Sequence, residues 1–126
     1  SQEAIRKALR LQNYRILEAT SGAEALSLMA AYPVDVVLAE LRLADMGGME
    51  LLRKIRTIYP DAVRMLLSQA SEVGSILKAV NEGVIYRFVT SPWEPDDLRS
   101  QVREAFQLRE LHRENRRLRE RIGAVR

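Results

Sequence analysis

A carboxylate and two hydroxyls close three apolar runs of this chain. Glu40 follows Val34-Asp35-Val36-Val37-Leu38-Ala39, Ser68 follows Val63-Arg64-Met65-Leu66-Leu67, and Ser91-Pro92 follows Val84-Ile85-Tyr86-Arg87-Phe88-Val89-Thr90. A carboxylate in such a place can act as a nucleophile or a metal ligand, and hydroxyls can hold the oxygens of an anion. The plain alternatives are a polar residue closing a strand for Glu40, a hydroxyl bonding nearby backbone for Ser68, and core packing for Phe88. Other chemistries lack their parts. No cysteine is present among the 126 residues, which removes disulfides, thiolate metal sites and thiol catalysis, and the single histidine, His112, cannot build a histidine metal cluster or a Ser-His-Asp arrangement. The six glycines form neither GxGxxG nor GxxxxGK[ST], so no phosphate-cradling loop is present.

The elements that must position these residues follow from periodicity. Ala4, Ile5, Ala8 and Leu9 have helical spacing and precede a short β-rich run, Tyr14-Arg15-Ile16-Leu17-Glu18-Ala19. Thr20-Ser21-Gly22 offers a cap to a helix that Tyr32-Pro33 stops. The run at 34–39 is almost wholly apolar, as a strand covered on both faces must be. A turn at Asp45-Met46-Gly47-Gly48 leads to a helix ended by Tyr59-Pro60, then the run at 63–68, a helix that Ser71 could cap and Gly83 could end, and the run at 84–90. A last helix begins near Asp96-Asp97 and meets no breaker until Gly123, giving it about 27 residues. Helices between successive strands predict an α/β fold with a doubly wound parallel sheet, whose function sits beyond the carboxyl ends of the strands, here near Ala19, Glu40, Ser68 and Ser91.

This pattern resembles the receiver domain of bacterial response regulators, the switch module of two-component phosphorelays. The resemblance is carried by residues 34–43, by Met46, Gly48 and Glu50-Leu51-Leu52, by Leu66-Leu67-Ser68, and by Arg87-Phe88-Val89-Thr90-Ser91-Pro92-Trp93; it extends over roughly residues 1–107. It implies a five-stranded sheet of flavodoxin-like type in which an aspartate ends the third strand and accepts phosphate from a histidine kinase. It further implies a Mg²⁺ ion held partly by an acidic pair after the first strand, with a hydroxyl residue and a lysine on later strands holding the phosphoryl oxygens. Position by position, Glu40 takes the phosphoacceptor place, Ser68 the hydroxyl place, Ser91 the lysine place before Pro92, and Phe88 the aromatic that reorients with the hydroxyl residue. The resemblance also implies a cis bond between Ser91 and Pro92.

Three departures shape the expected function. The extra methylene of Glu40 moves its oxygens by about one bond length, which a site built for in-line phosphoryl transfer tolerates poorly. Ser91 removes the fixed cation that would neutralise phosphoryl charge. The sequence begins where a receiver's first helix begins, so the first strand, central in the family's order 2-1-3-4-5, and its acidic pair are expected upstream of the residues given. No metal site is assigned here; Mg²⁺ binding would depend on that pair, with Glu40 as the candidate ligand. The expectation is a signalling module without phosphoryl chemistry rather than an enzyme. The alternatives are a working phosphoacceptor with a non-standard site and an arginine-rich helix that contacts nucleic acid.

The terminal helix carries two stripes. Leu98, Val102, Ala105 and Phe106 are placed to pack on the sheet, while Leu108, Leu111, Asn115, Leu118, Ile122 and Val125 are spaced 3-4-3-4-3. Asn115 then falls at an a position between Leu108 and Ile122, with leucines at d, a pattern that favours a parallel two-stranded coil. The expected organisation is a receiver-like domain over 1–107 and a helical extension over 108–126 that forms a homodimer and leads to an output domain. Charge follows the same division: residues 1–98 hold 11 basic and 13 acidic side chains, residues 99–126 hold 9 and 4. No base-reading motif accompanies this basic tail, so nucleic acid is not the expected partner. No apolar run approaches the ~20 residues of a membrane span, and no signal peptide is visible, which gives a cytoplasmic expectation.

Overall fold

Strands buried on both faces must be apolar along their whole length, and the three densest apolar runs become the sheet. The computed structural model describes residues 2–125, with the side chains of Leu11, Ala70 and residues 123–125 outside the description. Val125, the last position of the heptad stripe, is among those side chains. In chain order the elements are α1 (Gln2–Leu9), α2 (Gly22–Ala31), β1 (Val36–Glu40), α3 (Gly48–Ile58), β2 (Val63–Gln69), α4 (Val73–Asn81), β3 (Arg87–Ser91) and α5 (Pro95–Val125), with 3-10 turns at Arg10–Gln12 and Ala70–Glu72. The strands are parallel in the order β1-β2-β3, with Glu40 opposite Leu67, Ser68 opposite Thr90 and Gln69 opposite Ser91.

The period-two alternation of each strand divides the interior into two cores. Val63, Met65, Leu67 and Val89 face α1 and α5, packing with Ala8, Leu9, Leu98, Val102 and Ala105. Ala39, Leu66 and the half-buried Phe88 face the other way, onto Leu51, Leu52 and Ile55 of α3 and Ile76 and Ala79 of α4. The doubly wound α/β class is therefore as expected.

The sheet of the described residues has three strands, not the four that the apolar runs suggested. Residues 14–19 form no strand, and a cavity of about 470 Å³, lined by Tyr14, Ile16, Ala19, Val36, Leu38 and Glu40 among others, lies between them and β1. Among the described residues no backbone forms a ladder with the 14–19 segment. Two local expectations also change. Ser71 does not cap α4; it lies in the 3-10 turn, and the cap position is Glu72 without a side-chain bond. Val84 and Ile85 are buried but precede β3, because the Val84 amide donates to the Ala79 carbonyl (2.9 Å) and the Gly83 amide to Val80 (3.0 Å). With Gly83 at φ +78°, that pair of bonds is a Schellman ending, and it consumes the amide that a strand would have used. Ser21 does cap α2, accepting from the Glu24 amide at 3.1 Å.

The turn after β1 depends on Gly48. Its amide donates to the Leu41 carbonyl (2.7 Å) while the chain reverses through an Arg42–Gly47 bridge. A Cβ at residue 48 would collide with the Glu40 carbonyl oxygen. Gly48→Ala should therefore displace the end of β1 and lower stability by about 1–3 kcal/mol, the usual range for overpacking a closed site; urea unfolding monitored by circular dichroism measures this.

Candidate functional site

Parallel strands in register bring their carboxyl ends to one edge, and Glu40, Ser68 and Ser91 all lie along it. Glu40 is the last residue of β1, half-buried, at the end of the cavity that Thr20, Ser21 and Arg42 also line. Ser68 sits on the central strand, 5% exposed, with an Oγ that has no hydrogen-bond partner among the described residues. Ser91 is exposed and joined to Pro92 by a cis peptide bond. Phe88 pairs with Leu66 and points to the same sheet face as Ser68, packed against the α3–α4 core. Glu40, Ser68 and Ser91 thus lie at the carboxyl ends of adjacent strands, and Phe88 lies on the Ser68 face of the sheet two residues further from that edge.

At the end of β3, Ser91 presents a neutral hydroxyl. Among the described residues, no group of three or more His, Cys, Asp or Glu side chains is gathered closely enough to hold a metal ion. The described residues therefore do not by themselves build a Mg²⁺ site around Glu40.

One carboxylate at this end was missed by sequence reasoning. Asp45, in the β1–α3 turn, accepts hydrogen bonds from the amides of Gly22 (2.8 Å) and Ala23 (3.0 Å) and so caps α2 from 22 residues away. These backbone donors hold its carboxyl below the usual aspartate range. The contact ties the turn beside Glu40 to the start of α2, where the helix dipole also favours negative charge.

The opposite edge of the sheet holds a second polar arrangement. Arg64 points its half-buried guanidinium at the carbonyls of Ala62 (2.7 Å), Val84 (2.8 Å), Pro60 (3.1 Å) and Gly83 (3.2 Å), joining the loops that enter β2 and β3. Burial lowers its pKa from the ordinary arginine value. At this edge α5 also meets the domain. Arg109 and Arg113 pair with Asp35, Arg116 pairs with Asp61 at 2.5 Å, and His112 Nδ1 lies 3.1 Å from the Asp61 carbonyl, an acceptor to which it donates. Of the proposed seam, Leu108 packs partly against the α1–α5 core, while Leu111, Leu118 and Ile122 are 60%, 45% and 58% exposed. Asn115 is exposed among them.

Comparison with known proteins agrees with this geometry. Residues 1–103 match the family model described as the response regulator receiver domain. The chain is 37% identical over 114 residues to the hydrogenase transcriptional regulatory protein HoxA of Bradyrhizobium diazoefficiens, covering 90% of this chain and 23% of that protein. It is 35% identical to HoxA of Cupriavidus necator, covering 94% of this chain and 24% of the relative. The chain thus spans about a quarter of the length of these curated relatives. Among solved structures, the signal receiver domain of an HD domain-containing protein from Pseudomonas fluorescens Pf-5 superposes with a TM-score of 0.83 at 33% identity, over 90% of this chain and 83% of that one.

The Asp45 cap has a pH signature with a defined sign. Its folded pKa lies below the reference value of 3.8, so its contribution to stability is present above about pH 4 and is lost as pH falls through the depressed folded value. Asp45→Asn should reduce stability at neutral pH and flatten the loss of stability below pH ~4. Urea midpoints measured across the acid range test both statements.

Proposed function

The chain belongs to the response regulator receiver domain family, and on that premise we propose that it is a receiver module whose signalling does not depend on phosphorylation. The observation that carries the proposal is the pairing of two changes at one sheet edge: Glu40 at the phosphoacceptor position and Ser91 at the lysine position. The first displaces the acceptor oxygens and the second removes the charge that would stabilise a transferring phosphoryl group. Ser68 and Phe88 retain the switch positions beside them.

On this reading the module works in the cytoplasm by holding and orienting what α5 leads to. The relatives' names make a transcriptional regulator with a separate output domain the natural setting, with a histidine kinase as an ancestral rather than a required partner. The exposed stripe Leu111, Leu118 and Ile122, with Asn115 between, supports pairing of two copies as a parallel coil. Direct nucleic-acid contact by this helix is disfavoured by the engagement of Arg109, Arg113 and Arg116 with Asp35 and Asp61. Among the described residues no helix is long and apolar enough to cross a membrane.

Incubation of the whole protein, including the upstream residues expected to carry the first strand and its acidic pair, with a small-molecule phosphodonor and Mg²⁺, read by intact-mass spectrometry, should leave it unmodified. Gain of one phosphoryl group on Glu40 would establish the competing reading, a working acceptor with a non-standard site. A Glu40→Asp variant run beside it shows whether Glu40 alone silences the pocket. For the coil, charged residues in place of Leu111 and Leu118 should give a folded monomer in sedimentation; an unchanged dimer would remove α5 pairing from the proposal.

A further inference from the structure

Among the described residues no apolar side chain beyond Leu108 packs α5 into the domain core, yet the helix stays against it through Arg116. We propose that Asp35 and Asp61 form an electrostatic latch that docks residues 109–116 on the base of the sheet, so that this domain, rather than whatever the extension packs on, sets the direction of the helical extension. The inference goes beyond the proposed function and does not require that α5 dimerise.

Four contacts converge on the latch. The docking residues, Arg109, His112, Arg113 and Arg116, are spaced i, i+3, i+4 and i+7, which places them on one helix face. They meet two carboxylate-bearing residues that precede adjacent strands: Asp35 before β1 and Asp61 before β2. Those two positions move as one body, because the Val63 amide donates to the Asp35 carbonyl at 2.9 Å where the β1–β2 ladder begins. Asp35 and Asp61 are each about one-third exposed and Arg109 is one-fifth exposed, so the Arg109–Asp35 pair is shielded more than an ordinary surface pair, whereas Arg113 and Arg116, which reach the same carboxylates, are themselves more exposed. The bonds within the helix, Arg113 to Glu110 and Arg117 to Glu114, strengthen α5 but cannot fix its direction. At 100° per residue, Leu111, Leu118 and Ile122 lie roughly 150° around the helix from the latched face. The latch therefore leaves the apolar stripe open while its own face is occupied.

The test is amide hydrogen exchange on the whole chain, comparing wild type with Asp35→Asn/Asp61→Asn. The latch predicts a loss of protection of roughly five- to tenfold in residues 109–118, as expected for a few partly shielded ion pairs, with β1 to β3 unchanged. Protection unchanged in 109–118 overturns the proposal. If the aspartate variant loosens the strands as well, Arg113→Gln/Arg116→Gln, which alters only the helix, must show the same local loss, and its absence overturns the proposal. The monomeric Leu111→Glu/Leu118→Glu variant separates the latch from the coil. The latch predicts that it keeps protection through Arg116, whereas collapse of protection back to Leu108 would assign the order of this stretch to pairing of two copies and overturn the latch. Failure of that variant to become monomeric tests the coil alone.

Discussion

The constraint on which the rest of this structure depends is the burial of β2 on both faces. Met65 and Leu66 are fully enclosed by opposite cores, so each neighbouring residue along the strand must commit to one side or the other. A one-residue slip would exchange the two faces and put Ser68 and Arg64 into the wrong environments. Register is thus fixed in the middle of the strand, and the polar residues at its two ends inherit their positions. At the carboxyl end this places Ser68 between Glu40 and Ser91. At the amino end it places Arg64 among four carbonyls and brings Asp61 close to Asp35.

The helix α5 spans both ends. Its 31 residues correspond to about 46 Å, roughly twice the length of the longest strand. Leu98, Val102 and Ala105 bury it along the sheet, starting beside the Ser91–Pro92 edge. Past Leu108 the means of attachment changes from apolar burial to ion pairing with Asp35 and Asp61. An isolated helix of the remaining length is marginal in water, so what orders it decides where any following element points. This division of labour explains how a domain of this size can direct a helix that extends well beyond its core.

How far the sequence anticipates this architecture depends on the range of the interactions involved. Burial patterns are local, so the runs at 34–39 and 63–68, the Ser21 cap and the left-handed ending at Gly83 could be read directly. The placing of Glu40, Ser68 and Ser91 at the carboxyl ends of adjacent strands followed from parallel topology. Residues 14–19 show the limit of composition: the run has β-rich residues, but a strand needs a neighbour, and none of the described residues supplies one. Asp45, Asp35 and Asp61 were illegible for the same reason. Their partners lie 23, 78 and 55 residues away, and an aspartate in a loop has the same sequence signature whether it caps a distant helix, anchors an arginine or faces water. Ser71 failed in the other direction, since a serine near a helix start is a good cap only if the first turn is α-helical, and here it is a 3-10 turn.

The two departures at the carboxyl edge are physically consistent with one another. A phosphorylated carboxylate brings more charge and more acceptor oxygens than a glutamate, and a half-buried carboxylate holds that charge more readily beside a fixed cation. A glutamate at the same place carries a single charge that does not change with signalling. It makes a smaller demand on its surroundings, and a hydroxyl such as that of Ser91 can stand where the cation would otherwise be needed. Restoring one residue without the other would therefore unbalance the edge: a lysine at 91 would face a carboxylate that never gains charge, and a phosphoryl group at 40 would lack its counter-charge. On the proposed reading the two residues count together, and the function proposed for this domain rests on both rather than on either alone.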